Sequence, residues 1–442
     1  MVSWIGLALV LAGCTDDTAG YQFANDPRPT RAAATPAAAA TQSAPPTSPA
    51  AALRPFSELI VARGAPERIY FAAGPEVWTV AANGSEPGRV FAPAAGESVL
   101  ALSSSPTGDR VAVLVEASDG ASSVRVFAPD GEVVEEFDEI PKPETMEVPG
   151  ASPVASPTAG ATPVTDSARV TMNPESMQIP GNPSATSIDW SPQGNQLLLG
   201  YEPGGLVALG LGDGGESRRL LPVTAAHAPK GAAWSPTGEQ VAYASGREGD
   251  RRQALYLFAT SASSEPPRPL VDEPTERSIL DFAWLPDGRA LLFTEGDGSS
   301  ARSTNTDLWR IDADGEGRRL AASAGSAAPV ADIDLFAPSP DGRSVAYTVV
   351  VPSDPDDTFH SLWIRDLAAG QAYPIAVPAG ANVSDLWWTS AGLVFRTNGE
   401  ADEGTPPADS FELYRVGTDG AALPILRATV DRATLEATPL GR

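Results

Sequence analysis

One short turn recurs through this 442-residue chain, and it constrains the fold more than any other feature. Trp190-Ser191-Pro192-Gln193-Gly194, Trp234-Ser235-Pro236-Thr237-Gly238, Trp284-Leu285-Pro286-Asp287-Gly288 and Ser339-Pro340-Asp341-Gly342 each precede a short apolar run. The runs are Leu197 to Leu199, Val241 to Tyr243, Ala290 to Phe293 and Val345 to Tyr347. Fainter copies are Ser105-Pro106-Thr107-Gly108 and Trp388-Thr389-Ser390-Ala391-Gly392. The glycines at 194, 238, 288, 342 and 392 lie 44, 50, 54 and 50 residues apart. Pro presets φ at the first central position, Asp can bond its own backbone, and Gly accepts positive φ. With strand-like residues on both sides, each copy reads as a β-hairpin.

An aromatic-rich strand belongs to each unit: Val77 to Val80, Leu255 to Phe258, Leu308 to Ile311, Leu362 to Arg365, Leu413 to Val416. Turns such as Ala313-Asp314-Gly315 or Thr418-Asp419-Gly420 close it, and a fourth short strand follows, as at Arg318 to Leu320 or Tyr373 to Ile375. Four strands in about 45–50 residues is the signature of a propeller blade. The expected fold is all-β: a propeller of seven four-stranded antiparallel blades over residues 55–437, with six blades as the alternative. Units begin near residues 57, 98, 185, 230, 279, 332 and 383. The first unit has no such turn, so its inner strand is expected from Glu58 to Ala62 or from the C-terminal stretch Ala428 to Ala437. The 43 Pro and 41 Gly suit a turn-rich fold, and no helix longer than two turns is expected.

The repeat resembles that of the periplasmic protein TolB, a WD40-like or PD40 repeat whose consensus also reads Trp-Ser-Pro-Asp-Gly before a short apolar strand. The resemblance spans about residues 57 to 427. It implies the fold and leaves function open, because such blades serve translocation partners, peptidase propellers and sensor-associated lipoproteins alike.

The N-terminus reads as an address. Val2 to Ala12 is mostly apolar and too short to span a bilayer, which takes about 20 residues. Leu11-Ala12-Gly13-Cys14 follows at once and resembles the lipobox of bacterial lipoproteins. That resemblance implies a signal peptide at 1–13, cut before Cys14, and a lipidated Cys14 anchoring the protein outside the cytoplasm at the cell membrane. No Lys or Arg precedes the apolar run, which is consistent with a start upstream of Met1. Residues 14–54, rich in Ala, Pro and Thr, read as a tether too poor in large apolar groups to fold. The insertion at 141–178 reads as disordered, and 438–442 as a tail.

With 56 acidic against 30 basic residues the net charge is −26, which disfavours nucleic acid as a partner. Two His and one Cys exclude both an intrachain disulfide and a zinc site of His and Cys alone. A carboxylate site for calcium stays open, so the expectation is no resident cofactor, with calcium as the exception to test. Gly210-Leu211-Gly212-Asp213-Gly214-Gly215 matches a dinucleotide fingerprint, but Pro222 leaves no room for the helix it needs, so it reads as a turn. No G-x-S-x-G elbow occurs, and His227 and His360 lie apart on loop and strand, so no catalytic constellation is expected. Asp287 and Asp341 read as turn formers, and the repeated Trp as packing between sheets.

The loops joining second and third strands differ from blade to blade. They hold Asp354, Asp356 and Asp357 in blade six and Glu400, Asp402, Glu403 and Asp409 in blade seven. Variable loops on one face of a rigid ring are where binding is expected. The sequence thus predicts a monomeric, membrane-anchored, non-catalytic scaffold for a protein partner or ligand. The competing reading is a calcium-assisted enzyme or a ligand sensor using the channel.

Overall fold

Seven antiparallel sheets follow one another along the chain, one for each unit of the repeat. They are seen in a computed structural model that describes residues 54–60, 62, 64–143, 184–202, 204–212, 214–221, 228–246, 253–261, 266–271, 278–296, 306–323, 332–354, 357–378, 381–398, 410–431 and 434–439. Blades two to seven open with first strands at Glu97–Ser104, Ser184–Trp190, Ala228–Trp234, Ser278–Trp284, Asp332–Pro338 and Asn382–Thr389. Each pairs with the strand after its turn, then with a third and a fourth in sequence order. Helix is confined, among the described residues, to the single turn Phe56–Leu59.

The turns form as the sequence dictates. In the blade-two copy Gly108 N–H donates to Ser105 O at 2.9 Å, and Gly194, Gly238, Gly288 and Gly342 repeat the bond. The glycines sit at φ between 66° and 76°, a region costly for any other residue. The motif serine adds a lock: Ser191 Oγ accepts the Gln196 N–H at 3.0 Å, and Ser105, Ser235 and Ser339 do the same. Asp287 and Asp341 bond backbone N–H groups two residues on, which is the turn-forming role expected of them. Gly210 to Gly215 likewise makes a turn between the third and fourth strands of blade three.

The core lies between the sheets. Trp190 packs with Ala112, Leu114, Val124 and Val126 of blade two, and Trp284 with Ala242, Ala244, Leu255 and Leu257 of blade four. Each indole also ties the seam. Nε1 of Trp190, Trp284 and Trp388 donates to the backbone oxygen of Ser103, Ala233 and Ala337 in the preceding blade, at 2.8, 3.3 and 3.0 Å. The expected packing role for these Trp residues is thus the observed one.

Blade one departs from the plan. It has three strands, Arg68–Ala73, Glu76–Ala81 and Gly88–Phe91, and lacks an inner one. Neither expected source supplies it. Ala428 to Ala437 falls instead in the outer hairpin of blade seven, Ala422–Asp431 with Thr434–Pro439, which makes that sheet five-stranded. Pairing with the strand just before it avoids the entropy of closing the whole chain. Glu58 to Ala62 belongs to a strap over blades six and seven. Leu59 and Ile60 are buried there beside Ile375, Trp388, Phe395 and Val416. Arg54 Nε pairs with Asp366 at 2.8 Å, and Tyr373 Oη donates to Arg54 O at 3.1 Å.

The strap ends at Pro66, which stands where the missing turn would be. Ser390 N–H of blade seven donates to Pro66 O at 2.9 Å, and a methyl on Gly108 of blade two would come within 2.7 Å of Pro66 Cβ. Trp387 fills space beside the missing strand. The aligned positions in blades two to six hold Ser103, Asp189, Ala233, Ala283 and Ala337. Trp387 instead lies 6.5 Å, centroid to centroid, from Phe71 of blade one. We expect Leu59→Ala to cost about 2–5 kcal/mol by cavity formation. Equilibrium denaturation measures it, and a loss below about 1 kcal/mol would show that the strap does not hold the ring.

Candidate functional site

Hairpin geometry sorts the connections onto two faces. One face carries the Ser-Pro-x-Gly turns, and neighbouring turns are tied to one another. Arg110 Nη2 donates to Gly194 O at 3.2 Å, and Gln193 Nε2 to Thr237 O at 3.1 Å. Pro286 lies 3.4 Å from the place of a methyl on Gly342. The opposite face carries the links between second and third strands.

The expected lipid site Cys14 lies outside the described residues, and so do Asp356, Glu400, Asp402 and Glu403 of the residues proposed for that loop face. So do Asp409 and His227. Asp354 and Asp357 were expected in a loop, and the structure corrects this. The second strand of blade six runs Ser344–Asp354 and the third Asp357–Asp366, with Asp354 paired to Asp357. The equivalent strands of blades four, five and seven have six or seven residues, against 11 and 10 here. β-Branched Val349, Val350, Val351 and Thr358 favour this extension. The first strand of blade six stops pairing at Val350, so a two-stranded arm continues past it. The insertion expected to be disordered from Pro141 has a fixed root: Tyr201 Oη donates to Pro141 O and Arg219 Nε to Lys142 O, both at 2.9 Å.

The first strands line the central channel and carry carboxylates, Asp189, Asp281 and Asp385, that the repeat pattern does not mark. Asp189 keeps some exposed surface, but protein atoms crowd its carboxyl group, and this burial pushes its pKa up to about 7. Backbone N–H groups of Trp234 and Trp190 partly offset the burial. Asp281 is open to the channel by area yet hemmed in by its walls. That burial raises its pKa, the Phe282 N–H opposes the rise, and Asp334 of the next blade adds to it. Asp385 is likewise raised by burial against the pull of Arg396. Among the described residues, no three His, Cys, Asp or Glu side chains gather closely enough to hold a metal ion.

Arg396 joins this channel wall to blade one. Its Nε lies 2.8 Å from Asp385 Oδ2 and its Nη1 donates to Ala72 O at 2.7 Å, on the strand left without an inner partner. On the turn face a cleft of about 470 Å³ lies between blades two and three, lined by Arg110, Val134, Glu135, Asn195 and Leu211. Its volume suits a small molecule. Arg110 is held there over the Trp190 ring at 4.9 Å, and Glu135 Oε1 accepts the Gly212 N–H at 2.9 Å. Only tertiary contact brings these residues together, and no sequence signal pointed to them.

No protein-family model and no curated protein matches the sequence. Solved structures do. An oligogalacturonate lyase in complex with manganese aligns with TM-score 0.52 at 12% identity, over 81% of this chain and 84% of that one. A prolyl endopeptidase aligns with TM-score 0.50 at 13% identity over 84% of this chain, which spans half the length of that enzyme. A TolB structure from Agrobacterium tumefaciens aligns over 55% of this chain and 80% of its own at 20% identity, with TM-score 0.38. The fold is a seven-bladed β-propeller. At such identities the likeness is one of fold, and the propeller serves both catalytic and non-catalytic proteins.

The Arg396 bridge yields a pH-dependent expectation. Arg396→Ala should destabilise the ring, because Asp385 loses its cation and Ala72 O its donor. Asp385 is costly only when ionised, so the loss should be larger at pH 8 than at pH 5. Denaturation at both values measures this, and equal losses would mean that the ion pair contributes nothing.

Proposed function

We propose that this protein is an exported lipoprotein, anchored to the membrane through Cys14, whose propeller is a non-catalytic scaffold for a protein or ligand at the cell surface. One observation carries the binding part of this reading: the two faces of the ring are built differently. Neighbouring turns bond to each other on one face, and their shape is set by hairpin geometry. The other face varies from blade to blade and bears the blade-six arm, whose two strands meet at Asp354 and Asp357. Its carboxylates, with Glu400, Asp402 and Glu403 of blade seven, would attract a basic partner and speed its encounter. The anchoring part rests on Leu11-Ala12-Gly13-Cys14 after an apolar run.

The reading as a metal-assisted enzyme or sensor is supported by Asp281 and Asp334, which act on each other across adjacent first strands. Calorimetric titration with calcium or manganese distinguishes it. Heat of binding that disappears in Asp281→Asn would favour the channel over the loop face.

Two outcomes are expected. Cys14→Ser should move the protein from the membrane fraction to the soluble one, and unchanged fractionation would remove the anchor. A partner captured from membranes by the full chain should associate more slowly after the blade-six and blade-seven acids are changed to Asn and Gln. The difference should shrink as salt rises. An unchanged on-rate and salt slope would assign those acids to solubility.

A further inference from the structure

Four seams have a Trp at the end of a first strand, and one is built unlike the rest. Trp190, Trp284 and Trp388 each donate an indole N–H to the preceding blade. The same step into blade four sets Trp234 against Asp189. Trp234 is only 6% exposed, yet its Nε1 has no hydrogen-bond partner. Its backbone N–H turns instead to Asp189 Oδ2 at 3.0 Å. The aligned residues of the other first strands, Ser103, Ala233, Ala283, Ala337 and Trp387, cannot ionise.

We propose that the seam between blades three and four is a pH-responsive joint, closed while Asp189 is protonated and loosened when it ionises. A neutral carboxyl group still accepts the Trp234 N–H through its carbonyl oxygen, at little desolvation cost. An ionised one must be solvated, and among the described residues only the backbone N–H groups of Trp190 and Trp234 bond it. The cheaper course is for the carboxylate to draw in channel water or turn towards it, leaving the Trp234 N–H open. The orphaned indole offers no second bond to hold the seam.

Among the described residues, no charged side chain contributes to the shift of Asp189, which comes from burial and the two backbone N–H groups. Glu97 and Glu202 lie at the far ends of the adjoining strands of blades two and three, and Arg110 is engaged over Trp190. The second strand of blade four, Gln240–Gly246, has no ionisable group but Tyr243, which stays neutral in this range. Lys230 is on the first strand of blade four, four residues from Trp234. Burial sets the direction of the response. The folded pKa is about 7 against an ordinary 3.8. Asp189 therefore contributes stability that is full below about pH 4 and lost as pH rises through about 7.

The test compares the full chain with Asp189→Asn by equilibrium denaturation and amide hydrogen exchange from pH 4 to 8.5. The ratio of their folding constants should shift in favour of the variant by up to tenfold per pH unit between about 4 and 7, then level off. Corrected for intrinsic rates, protection of the Trp234 amide should fall over the same range in the natural chain and stay constant in the variant. If Asp189→Asn does not fold, Asp189→Ala, the residue type at this place in blades four to six, gives the same comparison. A pH-independent ratio, or Trp234 protection that is unchanged by pH in the natural chain, would overturn the proposal.

Discussion

A propeller is stable only as a closed ring, because each sheet buries both faces against its neighbours. Many propellers close by sharing one blade between the two ends of the chain; this one does not. Its blade one is short of a strand, and the closure is made by parts that are not strands. Pro66 takes the place of a turn, the segment from Arg54 to Ala62 crosses blades six and seven, and Trp387 and Arg396 reach into the space beside blade one. These contacts are mostly apolar burial, with two partly buried ion pairs, Arg54 with Asp366 and Arg396 with Asp385. Burial gives closure its strength, at about 25 cal/mol per Å² of apolar surface, and the polar contacts fix its geometry.

Closure fixes how the two faces differ. The strap runs along the turn face, touching the turns of blades two, six and seven, and the turns of neighbouring blades bond to one another. A face so constrained has little freedom to vary. The opposite face also carries seam bonds, Gln253 N–H to Ser278 Oγ and Thr306 N–H to Asp332 Oδ1, but these sit at strand ends, and an arm or a long insertion can be added beyond them without disturbing a seam. The same division explains why the strands of blade six can overrun their neighbours by several residues.

The seams are not equal in strength. Trp at the end of a first strand brings both apolar area and a directed hydrogen bond, and three seams have both. The step from blade three to blade four keeps the area but replaces the indole bond with an acid accepting a backbone N–H. A ring is as firm as its weakest seam. Buried acids near the channel, Asp189 above all, are therefore where solution conditions act on an otherwise rigid body.

The sequence by itself determined the blade. Ser-Pro-x-Gly forms a turn because of local dihedral preferences, and Ser191 or Ser339 locks its own turn without help from afar. Six copies of this turn, each before a short apolar strand, leave little alternative to a propeller. Tertiary structure alone decided how the ring closes, because that depends on which segments meet across more than 300 residues, as Arg54 meets Asp366. Glu58 to Ala62 has no pattern that separates a strand from a strap, and Ala428 to Ala437 none that separates an inner strand from an outer hairpin. The arm of blade six was hidden for a similar reason: Pro352 and a run of Asp read as loop, while pairing between neighbouring strands continued beyond them. The channel acids were invisible because a carboxylate in a strand looks like surface until the ring folds round it.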